Sequence, residues 1–235
     1  MRATPLLPTS RRRFLRAAAL VPAAVAAGCA SPSGHRSGAP QHAFFTAAEA
    51  EFIDAATNRL IPNDELGPGA NQAGVTGFLD VQLAGAYGRA SRWYMRGPWA
   101  DGTDEQGYQS RLTPAEMYRA AIAAIDDKCV ALRGKRFAAL DDKAQDDVLA
   151  QIESGSLGLH GVPEKQFFQL LWQNTQEGYL ADPVYGGNRD FAGWKLIGFP
   201  GPRYNYLDEI EHYGQRYTRP FVSLAGRDPD NQREA

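Results

Sequence analysis

Two cysteines and four histidines are the scarce reactive side chains of this 235-residue chain, set among 27 Asp and Glu. A metal centre or a nucleophilic site needs such groups to converge at set spacings. Cys29 and Cys129 stand far apart and are too few for an iron–sulfur cluster. No C-x-x-C-H run offers a haem attachment. Gly155, Gly158 and Gly161 do not have the spacing of a dinucleotide fingerprint, and no Walker loop occurs. His160 and His212 have no nucleophile motif beside them and read as surface or satisfied histidines, while His35 and His42 fall in or beside a polar segment and are not read as metal ligands. Asp182, Asn188 and Asp190 could gather around a cation, but these residue types also cap turns through side-chain to backbone bonds, which is the reading preferred here. Glu177 and Asp182 could pair as acid and base, though their spacing specifies nothing. No catalytic, cofactor-binding or metal-binding residue is therefore assigned in this chain.

Binding is better signalled than catalysis. Residues 175–202 read TQEGYLADPVYGGNRDFAGWKLIGFPGP, with six glycines, three prolines and the rings of Tyr179, Tyr185, Phe191, Trp194 and Phe199. Glycine and proline fix an irregular backbone, and aromatic rings supply large contact area. The stretch is expected to present a preformed surface to a protein partner. Tyr185 and Trp194 are the candidate contacts, with Gly186, Gly187 and Asn188 forming the turn that presents them.

The elements that position this stretch read as helices. Thr46 and Glu49 form a capping box for a helix to Leu60, where Ala48, Phe52, Ile53, Ala56 and Leu60 make an apolar stripe and Pro62 ends it. A polar Gly/Pro loop over 62–74 leads to a second helix over about 75–87, with Phe78, Leu79, Leu83 and Ala86 inward. Residues 88–112 carry Trp93, Tyr94, Trp99 and Tyr108 without period, and are expected to be an ordered loop packed against the domain. Thr113, Pro114 and Glu116 start a third helix with Met117, Ala121, Ile125, Cys129 and Leu132 buried and Gly134 as its stop. Asp141 caps a fourth, with Ala144, Val148 and Ile152 inward, closing at Gly155. Pro163 opens the last long one, with Phe167, Phe168, Leu171, Trp172, Thr175 and Tyr179 facing the core and Gln169, Gln173 and Gln176 on another face. Five helices without a convincing alternating strand predict an all-α single domain with long ordered Gly/Pro/aromatic-rich loops.

The N-terminus reads as an address. Ser10-Arg11-Arg12-Arg13-Phe14-Leu15 fits the twin-arginine export pattern, and the apolar run 17–27 is shorter than the ~20 residues a membrane-crossing helix needs. Ala26-Ala27-Gly28-Cys29 is similar to a lipoprotein cleavage site, which makes Cys29 the expected lipid-bearing first residue of the mature chain. Cleavage after Ala26 is the alternative. The organisation expected is a signal peptide over 1–28, a flexible tether over 29–43 and a helical domain over 44–235. Removing 1–28 leaves 20 Lys and Arg against 27 Asp and Glu, a net charge of −7 that argues against a nucleic-acid partner. With Cys29 lipidated, Cys129 is an unpaired thiol in an oxidising compartment. It is read as a packed hydrophobe, with an inter-chain disulfide as the further expectation.

The motif order resembles one known family. Ile61-Pro62-Asn63-Asp64, Gly67-Pro68-Gly69-Ala70, Ala73-Gly74-Val75, Gly97-Pro98-Trp99, Tyr108-Gln109 and Leu112 to Arg119 resemble the small chain (gamma, or subunit 3) of gluconate 2-dehydrogenase. So do Thr175 to Tyr179, Asp182 to Asn188, Gly193-Trp194-Lys195 and Ile197 to Gly201. The resemblance covers roughly residues 45–202; nothing beyond 202 is recognised. It implies a non-catalytic subunit of a periplasm-facing complex, supporting export and assembly of an FAD-dependent dehydrogenase of the glucose-methanol-choline type. A multihaem cytochrome c would pass electrons onward. FAD and haem c would then belong to the partners and the lipid on Cys29 to the membrane. Two other readings remain at this point: an autonomous enzyme, and a free-standing periplasmic lipoprotein that binds carbohydrate through aromatic loops, with Trp93, Trp99 and Trp194 for stacking.

Overall fold

One helix lies at the centre of the others. In the computed structural model, which describes residues 42–227 except 101, 104 and 105, six α-helices are present: α1 Ala47–Leu60, α2 Val75–Ala84, α3 Pro114–Arg133, α4 Asp142–Ser154, α5 Glu164–Leu180 and α6 Ala192–Ile197. Helix α5 packs against each of the other five, meeting α4 and α2 most extensively and α1, α3 and α6 as well. Its Phe167, Leu171, Thr175 and Tyr179 are buried among Phe52, Ile53, Leu79, Tyr118 and Ile152 from the surrounding helices. Each large apolar side chain taken fully from water contributes roughly 1.5–3 kcal/mol. The all-α class follows from this arrangement; the extended structure among the described residues is confined to one isolated bridge and a two-residue hairpin, Val222–Ser223 against Gly226–Arg227.

The helix starts follow from their capping residues. Thr46 with Glu49 and Thr113 with Glu116 each form the reciprocal capping box, and Asp141 accepts the Ala144 N–H at 2.9 Å. Gly134 and Gly155 close α3 and α4 in the left-handed region. Helix α2 stops at Ala84, short of the expected Tyr87, because Gly85 leaves the helical conformation; Ala86 is then exposed. Leu132 and Trp172 are exposed as well, and Ala48, Leu60, Ala144 and Phe168 only half-buried. Residues 91–94 and 96–98 of the aromatic loop lie on the surface, whereas Ala90 and Ser110 are buried, Tyr108 and Leu112 pack against the core and Trp93 lies against Tyr87 and Tyr108, so the loop is packed down in part.

Asp80 ties the start of the domain to α2. This buried carboxylate accepts the N–H groups of Ala43 (2.6 Å), Phe44 (2.9 Å) and Phe45 (2.8 Å). Burial alone would raise its pKa, but the three donors, with His42 nearby, outweigh burial and hold it below the usual carboxylate range. Arg119 of α3 closes the same corner, donating to Glu49 and to the Phe44 carbonyl, with its guanidinium 4.2 Å from the Phe44 ring centroid. The termini of the sequence, including Arg11, Arg12 and Cys29, lie outside the described residues.

Candidate functional site

The Gly/Pro/aromatic stretch after α5 folds back on the helix that precedes it. Asp182 accepts the Val184 N–H at 3.0 Å and so starts a 3-10 turn, Pro183–Tyr185; its other oxygen accepts the Leu224 N–H at 2.8 Å. Asn188, completely buried, donates from Nδ2 to the Ala181 carbonyl and accepts the Gly193 N–H on Oδ1, both at 2.8 Å. Its own N–H donates to the Gly178 carbonyl at 2.9 Å. A Cβ at Gly187 would lie 2.1 Å from that same carbonyl oxygen, so only glycine permits the approach. These contacts make Asp182 and Asn188 turn-forming groups, as the sequence reading preferred. Gly187 and Asn188 act in the fold rather than at a contact surface.

Trp194 corrects the sequence reading most directly. It is 3 % exposed, its Nε1 donates to the Leu180 carbonyl at 2.7 Å, and its ring lies against Phe191 and Phe199 with centroids 5.6 and 5.0 Å away. It therefore holds α6 onto the end of α5 and has no face left for a partner or for sugar stacking. Tyr185 goes the other way: it is 51 % exposed, beside Gly186 in the left-handed region. Cys129 is 2 % exposed; burial, helped by the nearby Asp126 carboxylate, pushes its thiol up to about 11. It is the packed hydrophobe anticipated, and pairing with another chain would require α3 to open. His160 and His212 are both exposed, His212 beside Glu209 at 3.1 Å.

Two concavities flank Gln173 on the outer face of α5. One, about 640 Å³, is floored by Phe78 and Leu180 and edged by Gln176 and Tyr185. The other, about 750 Å³, lies between α5 and the aromatic loop, with Trp93, Tyr94 and Tyr108 facing Gln166, Gln169 and Gln173. Behind them sits a buried polar network. Tyr87 and Tyr118 both donate their hydroxyls to Asn174 Oδ1, at 2.9 and 3.0 Å, and Asn174 Nδ2 donates to Glu177 Oε2 at 3.0 Å. Gln173 donates to the other Glu177 oxygen at 2.7 Å. Burial raises the pKa of Tyr87, Tyr108 and Tyr118, so these hydroxyls stay protonated donors near neutrality. Glu177 is thus bonded within α5, and Asp182 is engaged by Val184 and Leu224; the two are not paired.

The glutamine stripe was legible as polar periodicity, but its juxtaposition with the aromatic loop was not, because that loop carries no period. Asn174 was overlooked; its one signal was a neutral amide within the apolar phase of α5. Among the described residues no group of three or more His, Cys, Asp and Glu could hold a metal ion, and no helix is long and apolar enough to cross a membrane. The chain matches the model of one protein family, described as gluconate 2-dehydrogenase subunit 3, over residues 47–201. No curated protein and no solved structure matches it.

Proposed function

The chain belongs to the gluconate 2-dehydrogenase subunit 3 family, and from that premise we propose that it is the non-catalytic small subunit of a membrane-associated, periplasm-facing dehydrogenase complex. Its task is to support twin-arginine export and assembly of an FAD-binding catalytic subunit that oxidises a sugar or sugar acid. FAD and haem c reside in the partner subunits, and a lipid on Cys29 anchors the chain. The family match, which spans more than half of the chain, carries this reading. The export motif at Arg11 and Arg12 adds to it, since twin-arginine export moves folded proteins and this chain has no cofactor motif of its own. Export of a bound flavoprotein would explain the route.

The test is the Arg11→Lys, Arg12→Lys double substitution in cells that make both subunits. The flavoprotein is expected to stay in the cytoplasm together with this chain, read by fractionation and flavin fluorescence. Normal export of the flavoprotein would overturn the reading. Mass spectrometry of the mature N-terminus checks the anchor: a diacylglyceryl adduct on Cys29 supports it, and a start at Ala27 refutes it.

We place part of the partner contact at Tyr185 and the adjoining apolar groove of Phe78 and Leu180. An exposed ring on a turn already fixed by Asp182 loses little conformational freedom on docking. Tyr185→Ala is expected to weaken capture of the flavoprotein at least tenfold, which is ~1.4 kcal/mol. Undiminished capture would locate the interface elsewhere.

A further inference from the structure

We propose that residues 203–220 form an arm that docks on the flavoprotein subunit, with Tyr204, Leu207, Ile210 and Tyr213 as its contacts. The inference rests on the subunit reading above and adds a second contact to the one at Tyr185. The arm begins just past the stretch matched to the family, 47–201. It is a closed loop with a narrow neck. The Val222 N–H donates to the Pro200 carbonyl at 3.1 Å, and Gly201 lies so close to the Val222 carbonyl that no Cβ would fit. Tyr206 donates its hydroxyl to the Gly201 carbonyl at 2.9 Å, and its ring lies 6.0 Å from that of Tyr217. Arg203 sits 5.5 Å from the Tyr217 ring centroid and donates to the Pro220 carbonyl. Arg219 bridges Asp208 and Glu209 at 3.3 and 3.1 Å. Among the described residues, the hydrogen bonds and ion pairs of residues 203–219 all close within 201–220. The arm therefore holds its own shape, and its polar contacts do not brace the helices.

The side chains left over face solvent. Tyr204 is fully exposed and Tyr213 is 84 % exposed; Leu207 and Ile210 are exposed as well, and none of the four belongs to the core. Apolar groups gathered on one projecting loop mark a surface that something covers. Tyrosine is among the residues that dominate binding hot spots, and a loop already fixed by its own bonds loses little freedom on docking. Composition and position choose the occupant. Residues 203–220 carry three Arg against three Asp and Glu. A surface built for an anionic bilayer would carry an excess of cations, so this balance favours a protein. Position points to the flavoprotein. Just past the neck, the Leu224 N–H donates to Asp182, the carboxylate whose other oxygen fixes the Tyr185 turn. Leu224, Val184 and Tyr185 are all exposed. Arm and turn are thus tied to one carboxylate, and a subunit seated on Tyr185 lies beside the root of the arm. The surface that receives the arm is apolar, with hydrogen-bond acceptors for two phenolic hydroxyls.

The test uses the tagged full mature chain co-produced with the flavoprotein, with capture read by flavin fluorescence. The Tyr204→Ser, Tyr213→Ser double substitution is expected to weaken capture at least tenfold, while the thermal midpoint of the free chain is unchanged. In the wild-type complex, amide hydrogen exchange over residues 204–213 is expected to be slower than in the free chain. Undiminished capture by the double variant, or exchange that the flavoprotein leaves unchanged, would overturn the arm; wild-type capture would still uphold the subunit reading. A wild-type chain that captures no flavoprotein overturns both. If the free wild-type chain sediments as a dimer and the double variant as a monomer, the arm meets a second copy and the proposal is refuted. It is refuted too if vesicles of phosphatidylglycerol and phosphatidylethanolamine bind the mature chain carrying Cys29→Ala but not the same chain with both tyrosines replaced.

Discussion

Trp194 and Tyr185 are the same kind of residue to a reader of the sequence: large rings in a glycine-rich stretch. Their fates differ because Trp194 has an indole N–H that reaches the Leu180 carbonyl and aromatic neighbours at 5.0 and 5.6 Å, whereas Tyr185 ends a turn that points away. Burial could not be read from residue type alone. Trp194→Ala is expected to cost about 3–5 kcal/mol, seen as a clear drop in thermal midpoint, while Tyr185→Ala changes stability by no more than about 0.5 kcal/mol. Gly187→Ala should also lower the midpoint, through a loss of about 1–3 kcal/mol in stability, since the new methyl meets the Gly178 carbonyl. The turn chemistry of Asp182 and Asn188 was legible, because short polar side chains among glycines have few other uses. At Asp80 the folded-state pKa is lowered, so its contribution is present above the unfolded value of ~4 and is lost as pH falls through the folded value. Asp80→Asn should remove about 1.5–3 kcal/mol at neutral pH and flatten the acid limb of the stability–pH curve; an unchanged acid limb would show that Asp80 does not set it.

Helix α5 was the element most fully anticipated, and also the one whose surroundings were least so. Its apolar phase through Phe167, Leu171, Thr175 and Tyr179 is buried as read. Trp172 lies off that phase on the rim, and its size was mistaken for a sign of burial. Leu132 failed for a different reason: α3 runs on past Cys129 to Gly134 with every intervening residue exposed, so the helix outlasts the core that its first turns cover. What periodicity could not reveal is that one amide of α5, Asn174, receives a hydroxyl from each side. Tyr87 follows α2 and Tyr118 belongs to α3. Asn174→Leu would leave two hydroxyls without their acceptor, at about 1–3 kcal/mol for each that stays buried. The loss should be smaller when Tyr118→Phe is present beforehand. A double-mutant cycle by urea unfolding measures this coupling, and strict additivity would mean that the two groups do not interact.

For the molecule as a whole, the family match ends at residue 201 but the packing does not. Phe221 stacks on Phe191 at 5.6 Å, the Val222 N–H donates to the Pro200 carbonyl and the Leu224 N–H to Asp182. No sequence pattern signalled this return, because it consists of single contacts without period. A chain cut after Pro202 is expected to lose about 2 kcal/mol or more through the uncovered Phe191 ring and the orphaned carboxylate oxygen; an unchanged urea midpoint would contradict this. The other end of the domain has a mechanical consequence. Any tension arriving from the residues before Ala43 reaches the three bonds to Asp80 before it reaches the first turn of α1. Those bonds are loaded together and pass the pull sideways into α2, as a clamp on a cable spares the soldered joint behind it. A domain hung from its N-terminus would therefore resist unravelling from that end, and pulled from there it would first give way at Asp80.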